Sequence, residues 1–215
     1  MSGAQGKINE YWDLRGASYD AQAGHGLHDP REHRAWLDAL AEVLPPVPSD
    51  VLDVGTGTGF LALLIAELGH RVTGVDLAPG MLSVAREKAG ALPTGAARPA
   101  FLTGDAGDPP LPAGSFDAVV SRHVLWTLGD PAGAFAAWRR LLRPGGRVVA
   151  IDALWHLPTA APAPSGTTEK TVAPTAAADA WREAWGRLYS PDVQAQLPLF
   201  NAKTLDPVVA AATAA

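Results

Sequence analysis

The sequence predicts an α/β chain, a doubly wound and mostly parallel sheet with helices on both faces. Apolar segments of strand length alternate with helical patterns from Val51 to Ile151. Each strand-like segment is short, β-branched or aromatic, and bounded by Gly, Pro or Asp. A glycine-rich turn closes the first of them in VLDVGTGTG, Val51 to Gly59. Strand and helix in strict alternation join parallel strands through crossover helices that cover both faces.

The elements follow in order. A first helix, Arg31 to Leu44, puts Trp36, Leu37, Leu40 and Leu44 on one stripe, with Asp29 and Pro30 as its start signal. Five strands are expected at Val51 to Val54, Arg71 to Val75, Ala100 to Thr103, Phe116 to Ser121 and Arg147 to Ile151. Between them fall helices at Phe60 to Leu68, stopped by Gly69, and at Met81 to Ala89, begun by Pro79 and stopped by Gly90. A further helix, Ala132 to Leu142, is capped by Asp130 and started by Pro131. The stretch Leu157 to Thr175 is rich in Pro, Ala and Thr and reads as a mobile connection. Beyond it Trp181, Trp185 and Leu188 recur at helical spacing, and a last helix starts at Asp206 and Pro207.

Composition narrows the function classes. A chain of 215 residues, 47% hydrophobic, is long enough for one sizeable core and too short for two full domains. Its formal charge of −5 gives no basic field for a phosphate backbone or an anionic bilayer, so neither nucleic acid nor membrane is expected as a partner. The absence of cysteine excludes disulfides, thiolate metal sites and a cysteine nucleophile. With no signal-peptide pattern at its start and no apolar run near the ~20 residues of a membrane span, the chain reads as cytoplasmic.

The glycine turn lets a ligand approach the backbone at Gly55, Gly57 and Gly59 without meeting a Cβ atom. Two ligand classes use such a turn. The register Gly57, Gly59, Ala62, with Asp76 roughly 20 residues on, fits a dinucleotide site. Asp53 argues against it, since a carboxylate there would repel a pyrophosphate by roughly 4 kcal/mol at close range and effective dielectric near 20. It favours a ligand with a positive group and no phosphate, such as S-adenosylmethionine. Asp76 ends the second strand, where a carboxylate can accept from both ribose hydroxyls, and Asp105 follows the third, within reach of an adenine amine. Local capping explains Asp53 or Asp76 singly; it explains three acids at three successive strand ends poorly.

In their order and spacing, VLDVGTGTGFLAL, VTGVDLAPGML, GDAGDPPLPAGSFDAVVSRHVLWTL and WRRLLRPGGRVVAIDAL resemble the class I S-adenosylmethionine-dependent methyltransferases, in particular the small-molecule enzymes of the type 11 branch. The resemblance spans about Ile8 to Leu154 and implies a Rossmann-like methyltransferase fold. It implies that Asp53, Gly55, Thr56 and Gly57 line the methionine portion of the cofactor and that Asp76 holds the ribose. It further implies that Asp105 with Ala106 faces the adenine, and that Leu77, Met81 and Arg122 complete the cofactor shell. YWDLRGASYD resembles the N-terminal lid of these enzymes, so that Tyr11, Tyr19 and Arg15 would close over the cofactor; a plain hydrophobic stripe of Ile8, Tyr11, Trp12 and Tyr19 is the competing reading. One domain, 1–215, is expected, with a helical lid at 1–45, a cofactor core at 46–156, and a linker with C-terminal helices at 157–215. The family core continues with an antiparallel hairpin after the fifth strand, and this edge hairpin is expected to be missing, since Ala215 falls where the preceding helix would lie.

The expected activity is transfer of a methyl group to O, N or C of a small organic acceptor by a monomer or homodimer. The alternatives are an NAD-dependent oxidoreductase and a non-catalytic module on the same fold. His123, just past the fourth strand, is the candidate base, expected to lose activity as it protonates below about pH 6.5; a pocket-lining histidine is the plainer alternative. Trp126, Trp155, Trp181 and Trp185 are read either as an aromatic acceptor surface or as core. His25, His28 and His33 in HGLHDPREH are read as a solvated lid and not a metal site. Ser121, Arg122 and His123 stand where divalent-metal catechol enzymes carry acids, so no metal is expected.

Overall fold

A computed structural model describes residues 3–22, 25–153 and 183–215. Five strands form one sheet: Asp50–Val54 (β1), Arg71–Asp76 (β2), Ala100–Thr103 (β3), Phe116–Arg122 (β4) and Leu142–Ile151 (β5). Their order is β3-β2-β1-β4-β5, and every neighbouring pair is parallel. The helices α1 (Gly3–Tyr19), α2 (Pro30–Val43), α3 (Phe60–Glu67), α4 (Pro79–Gly90) and α5 (Pro131–Leu141) accompany it. A 3₁₀ turn, Leu125–Thr127, follows β4. Toward the C-terminus come helical residues 183–188 (α6), Pro191–Gln194 (α7) and Asp206–Ala214 (α8).

The central strand shows why the chain folds this way. Val51, Leu52 and Val54 are fully buried because β1 is covered on both faces. Leu52 and Val54 join a core with Ile8, Trp138 and Tyr189, while Val51 joins a second core with Leu40, Leu61 and Ile65. The pleat thus turns Asp53 toward the α3 side. Asp29 and Asp130 cap α2 and α5, accepting from Arg31 N and Gly133 N, and Pro30 and Pro131 start them as expected.

The sheet runs β1 to β2 to β3 in one direction and then returns to place β4 on the other side of β1. The carboxyl ends of β1 and β4 are therefore the topological switch point, where such a sheet leaves a crevice. The element boundaries move by small amounts. β2 and β4 each run one residue further, to Asp76 and Arg122. β5 begins at Leu142, because Phe116 pairs with Leu142 before the register jumps to Ala118 with Arg147.

α1 lies across the start of α4. A Cβ on Gly16 would stand 2.6 Å from the carbonyl carbon and oxygen of Gly80, so only glycine permits this approach. Asp13 Oδ1 accepts from Gly80 N at the N-terminus of α4. Among the described residues no strand follows Ile151. The expected connection Leu157 to Thr175, with Trp155 and Trp181, lies outside the described residues.

Candidate active site

The turn after β1 is left-handed at three glycines, with φ of 66° at Gly55, 55° at Gly57 and 80° at Gly59. At Gly57 a Cβ would have only Gly55 O and Met81 Sδ near it, both at 4.0 Å, so the backbone there faces open space. That space is a cavity of about 830 Å³, part of it open to solvent.

Of the residues the sequence singles out for cofactor or base, twelve line it: Tyr19, Asp53, Gly55, Thr56, Gly57, Asp76, Leu77, Met81, Asp105, Ala106, Arg122 and His123; Arg15, which donates to Gln22 Oε1 at 2.6 Å, and Gly59, where a Cβ would meet Ala85 and Phe101 at 3.2 Å, do not. Nor does Tyr11. Its ring is 3% exposed and meets Trp12, Trp185 and Tyr189 edge-on at 5.0, 5.2 and 5.1 Å, so the hydrophobic-stripe reading describes it. The tyrosine that reaches the cavity is Tyr19, one end of α1.

Asp53 Oδ2 accepts from Thr56 Oγ1 at 2.7 Å and from Ala62 N at 3.1 Å, which braces the turn against the first residues of α3. Burial pushes its carboxyl up to about 7, against the pull of those two donors. Its charge is therefore not fixed at neutral pH, and the expected repulsion of a pyrophosphate is weaker than a permanent carboxylate would give. A cation in the cavity would draw the group back to its ionised form. Asp76 uses Oδ2 to accept from Gly57 N at 2.8 Å and Oδ1 to accept from Ala78 N at 2.9 Å, and burial raises it too. It caps the turn into α4 and still has lone pairs for a ligand, since a carboxylate offers about four acceptor sites. Asp105 Oδ1 accepts from Gly107 N at 2.7 Å.

The β4 side is aromatic and basic. Arg122 lays its guanidinium over the Phe60 ring at 4.0 Å and over Trp36 at 5.4 Å. His123 holds a left-handed backbone, φ 60°, fixed by His123 N donating to Ile151 O at 2.9 Å. Its Nδ1 stands 4.0 Å from Asp152 Oδ1, and its ring meets His25 edge-on at 5.8 Å. Burial, then Arg122 and His25, push His123 down to about 3. The acid limb expected near pH 6.5 is thereby corrected: the ring is neutral well below that pH and is a weak base. Burial and the nearby arginines likewise lower His25 to about 4.

The three lid imidazoles diverge. His25 packs on Tyr19 at 4.5 Å, His28 Nε2 bonds Asp20 O at 2.8 Å, and His33 Nε2 bonds Glu67 Oε2 at 2.8 Å. Of the tryptophans read as an acceptor surface, Trp126 and Trp185 pack into the core cluster, although Trp126 belongs to the turn beside the cavity. Gln5, Asn9, Trp12 and Val124 are among the lining residues that sequence reasoning missed. Trp12 had a signal, its place in the stripe with Ile8 and Tyr19, but that stripe serves both core and cavity.

Residues 52–150 match the type 11 methyltransferase family, described as a methyltransferase domain. Residues 52–150 are thus a methyltransferase domain of the type 11 branch of the class I S-adenosylmethionine-dependent methyltransferases. It is 36% identical over 154 residues, 69% of its length and 60% of the relative's, to the ubiquinone/menaquinone biosynthesis C-methyltransferase UbiE of Methylobacterium nodulans. It is 34% identical to the ubiquinone biosynthesis O-methyltransferase of Xanthomonas axonopodis pv. citri, over 65% of this chain and 54% of the relative. The chain thus spans a little over half the length of these relatives. Among solved structures, the putative methyltransferase complexed with the Trm112 activator of Haloferax volcanii superposes with a TM-score of 0.51 at 27% identity, over 65% of this chain and 58% of that one. For this family the open backbone at Gly57 and the acids at three strand ends are the parts a nucleoside with a cationic tail requires, so the residues present fit the methyl donor. No helix among the described residues is long and apolar enough to cross a membrane.

Proposed function

We propose that this chain transfers the methyl group of S-adenosylmethionine to O, N or C of a small organic acceptor held at the β4 end of the sheet. The observation that carries the reading is the convergence of Asp53, Asp76 and Asp105, from the ends of three adjacent strands, on one cavity floored by Gly57. Asp76 would accept from the ribose hydroxyls, Asp105 and Ala106 would face the adenine, and Asp53, Gly55, Thr56 and Gly57 would hold the methionine portion. Tyr19, Leu77, Met81 and Arg122 complete the shell. When bound, the donor would supply a methyl made electrophilic by its sulfonium, to be taken by an electron pair of the acceptor.

The chain's own residues then have to position the acceptor and exclude water. His123 is the residue that meets it, and its neutral, weakly basic ring suits an acceptor that reacts without handing over a proton in the same step. The two relatives, named for quinone biosynthesis and for methyl transfer to carbon and to oxygen, support an aromatic acceptor. In this reading residues 1–45 are a lid over a core at 46–156, 157–215 carry the linker and C-terminal helices, and the protein works in the cytoplasm as a monomer or homodimer.

Calorimetry tests the donor site. S-adenosylhomocysteine should bind in the micromolar range, about −8 kcal/mol, and NAD should not bind. Tight NAD binding without S-adenosylhomocysteine binding would return the oxidoreductase reading. Binding without turnover of any acceptor would leave a non-catalytic module.

A further inference from the structure

Resting on the methyl-transfer reading, we propose that Trp12, fixed in place by Tyr189, is the surface against which the acceptor docks and that it selects a planar aromatic ring. Trp12 belongs to α1 and lines the cavity. Its Nε1 donates to Tyr189 Oη at 2.9 Å, across 177 positions of sequence. Three rings meet it edge-on: Tyr11 at 5.0 Å, Tyr19 at 5.8 Å and Trp126 at 5.9 Å. One hydrogen bond and three edge contacts leave the indole plane a single orientation.

Its place in the cavity is the β4 end. Trp126 lies in the turn directly after β4, and Tyr19 packs on His25, which packs on His123. The acids read as ribose and adenine partners stand at β2 and after β3, on the other side of β1. Trp12 therefore borders the part of the cavity left to the acceptor.

Tyr189 is the positioning residue. It is 1% exposed, stacked on Trp185 at 4.2 Å and 16° and on Phe200 at 6.0 Å and 25°. A hydroxyl buried in such surroundings needs a hydrogen-bond partner, and the Trp12 indole supplies it. The C-terminal segment thus sets one wall of the site without reaching the cavity. A planar ring brought against a fixed indole gains offset-stacked or edge-on contact beyond its buried area, and a saturated ring of equal size does not.

The test uses protein labelled with ¹⁵N-tryptophan and saturated with S-adenosylhomocysteine, with the Trp12 indole N–H signal assigned by its loss in Trp12→Phe. Naphthohydroquinone is expected to bind and to move that signal, and its fully saturated diol to bind roughly three- to tenfold more weakly. Tyr189→Phe keeps the stacked ring and removes only the acceptor oxygen. It should narrow that preference to about twofold while S-adenosylhomocysteine affinity and the other indole signals stay as they were, and Trp12→Leu should abolish the preference. The proposal is overturned if naphthohydroquinone does not bind, if it binds without moving the Trp12 signal, if both probes bind alike, or if Tyr189→Phe leaves the preference intact. Loss of S-adenosylhomocysteine binding by the unaltered protein would count against the methyl-transfer reading instead.

Discussion

The β1–β3 side of the cavity takes its groups from residues 53–57, 76–81 and 105–106, each set within a few positions of a strand end. The β4 side takes Trp12 from one end of the chain and holds it with Tyr189 near the other. On the first side the backbone itself is the binding surface, and its acids are braced by neighbours such as Thr56 and Ala78. On the second side, side chains from distant segments enclose the space. A nucleoside portion common to many enzymes can be met by the local arrangement, whereas an acceptor that differs between enzymes is met where several segments can vary independently.

Removing Asp76 tests the local side and carries the largest expected effect. Asp76→Ala should weaken S-adenosylhomocysteine binding by roughly 2 to 4 kcal/mol in calorimetry, because charge-assisted hydrogen bonds contribute about 1.5 to 3 each and are not additive. The same variant frees Gly57 N and Ala78 N, so a part of the loss passes through the turn. Unchanged affinity in a folded variant would reduce Asp76 to a cap and remove the basis for treating this side as a nucleoside site.

This difference also decides what could be read in the sequence. The five strands and the α3, α4 and α5 helices follow from period and punctuation, since Gly69, Pro79, Gly90 and Pro131 act on their own neighbours. The acids at three strand ends were legible for the same reason. Tyr11 was misassigned because a helix stripe does not say which of its residues face a ligand and which face the core; α1 does both, with Trp12 half-buried at the cavity and Tyr11 buried one position earlier. The partner that separates them, Tyr189, lies beyond any local signal. The lowered pKa of His123 was illegible too, because it comes from burial and from Arg122 and His25, and only the last of these is remote in sequence.

Gly55 joins the two sides, and its substitution carries the next effect. A Cβ there would press on Val124, which follows β4, and Gly55 holds φ 66°. Gly55→Ala should lower unfolding free energy by about 2 to 3 kcal/mol, combining roughly 1 to 2 for a left-handed non-glycine residue with overpacking against Val124. In a double-mutant cycle Val124→Ala should recover the overpacking part and leave the backbone part, with a coupling of about 1 kcal/mol. Strict additivity would show that the two sides are not in contact through this pair.

The two sides should also oppose each other in pH dependence, with the smallest net effect. His25 and His123 have folded pKa values near 4 and 3 against 6.5 unfolded, so the unfolded chain binds more protons between about pH 4 and 6.5. Their contribution therefore rises with pH through that window and is lost as pH falls through it. Asp53 is raised from 3.8 to about 7, so the folded chain binds the extra proton and its contribution falls as pH rises over the same window. Asp76, also raised, acts in the sense of Asp53. The sum should be a shallow dependence of denaturation midpoint on pH. Asp53→Asn keeps an oxygen to accept from Thr56 and Ala62 but removes the titration, so the histidine contribution should emerge as a steeper rise, by up to about 1.4 kcal/mol per pH unit. Urea denaturation of both proteins at three pH values inside the window checks this, and carboxylates common to both cancel in the difference. A variant no steeper than the parent would mean that Asp53 is ionised throughout, and that the glycine-turn side holds a fixed negative charge instead of one set by its ligand.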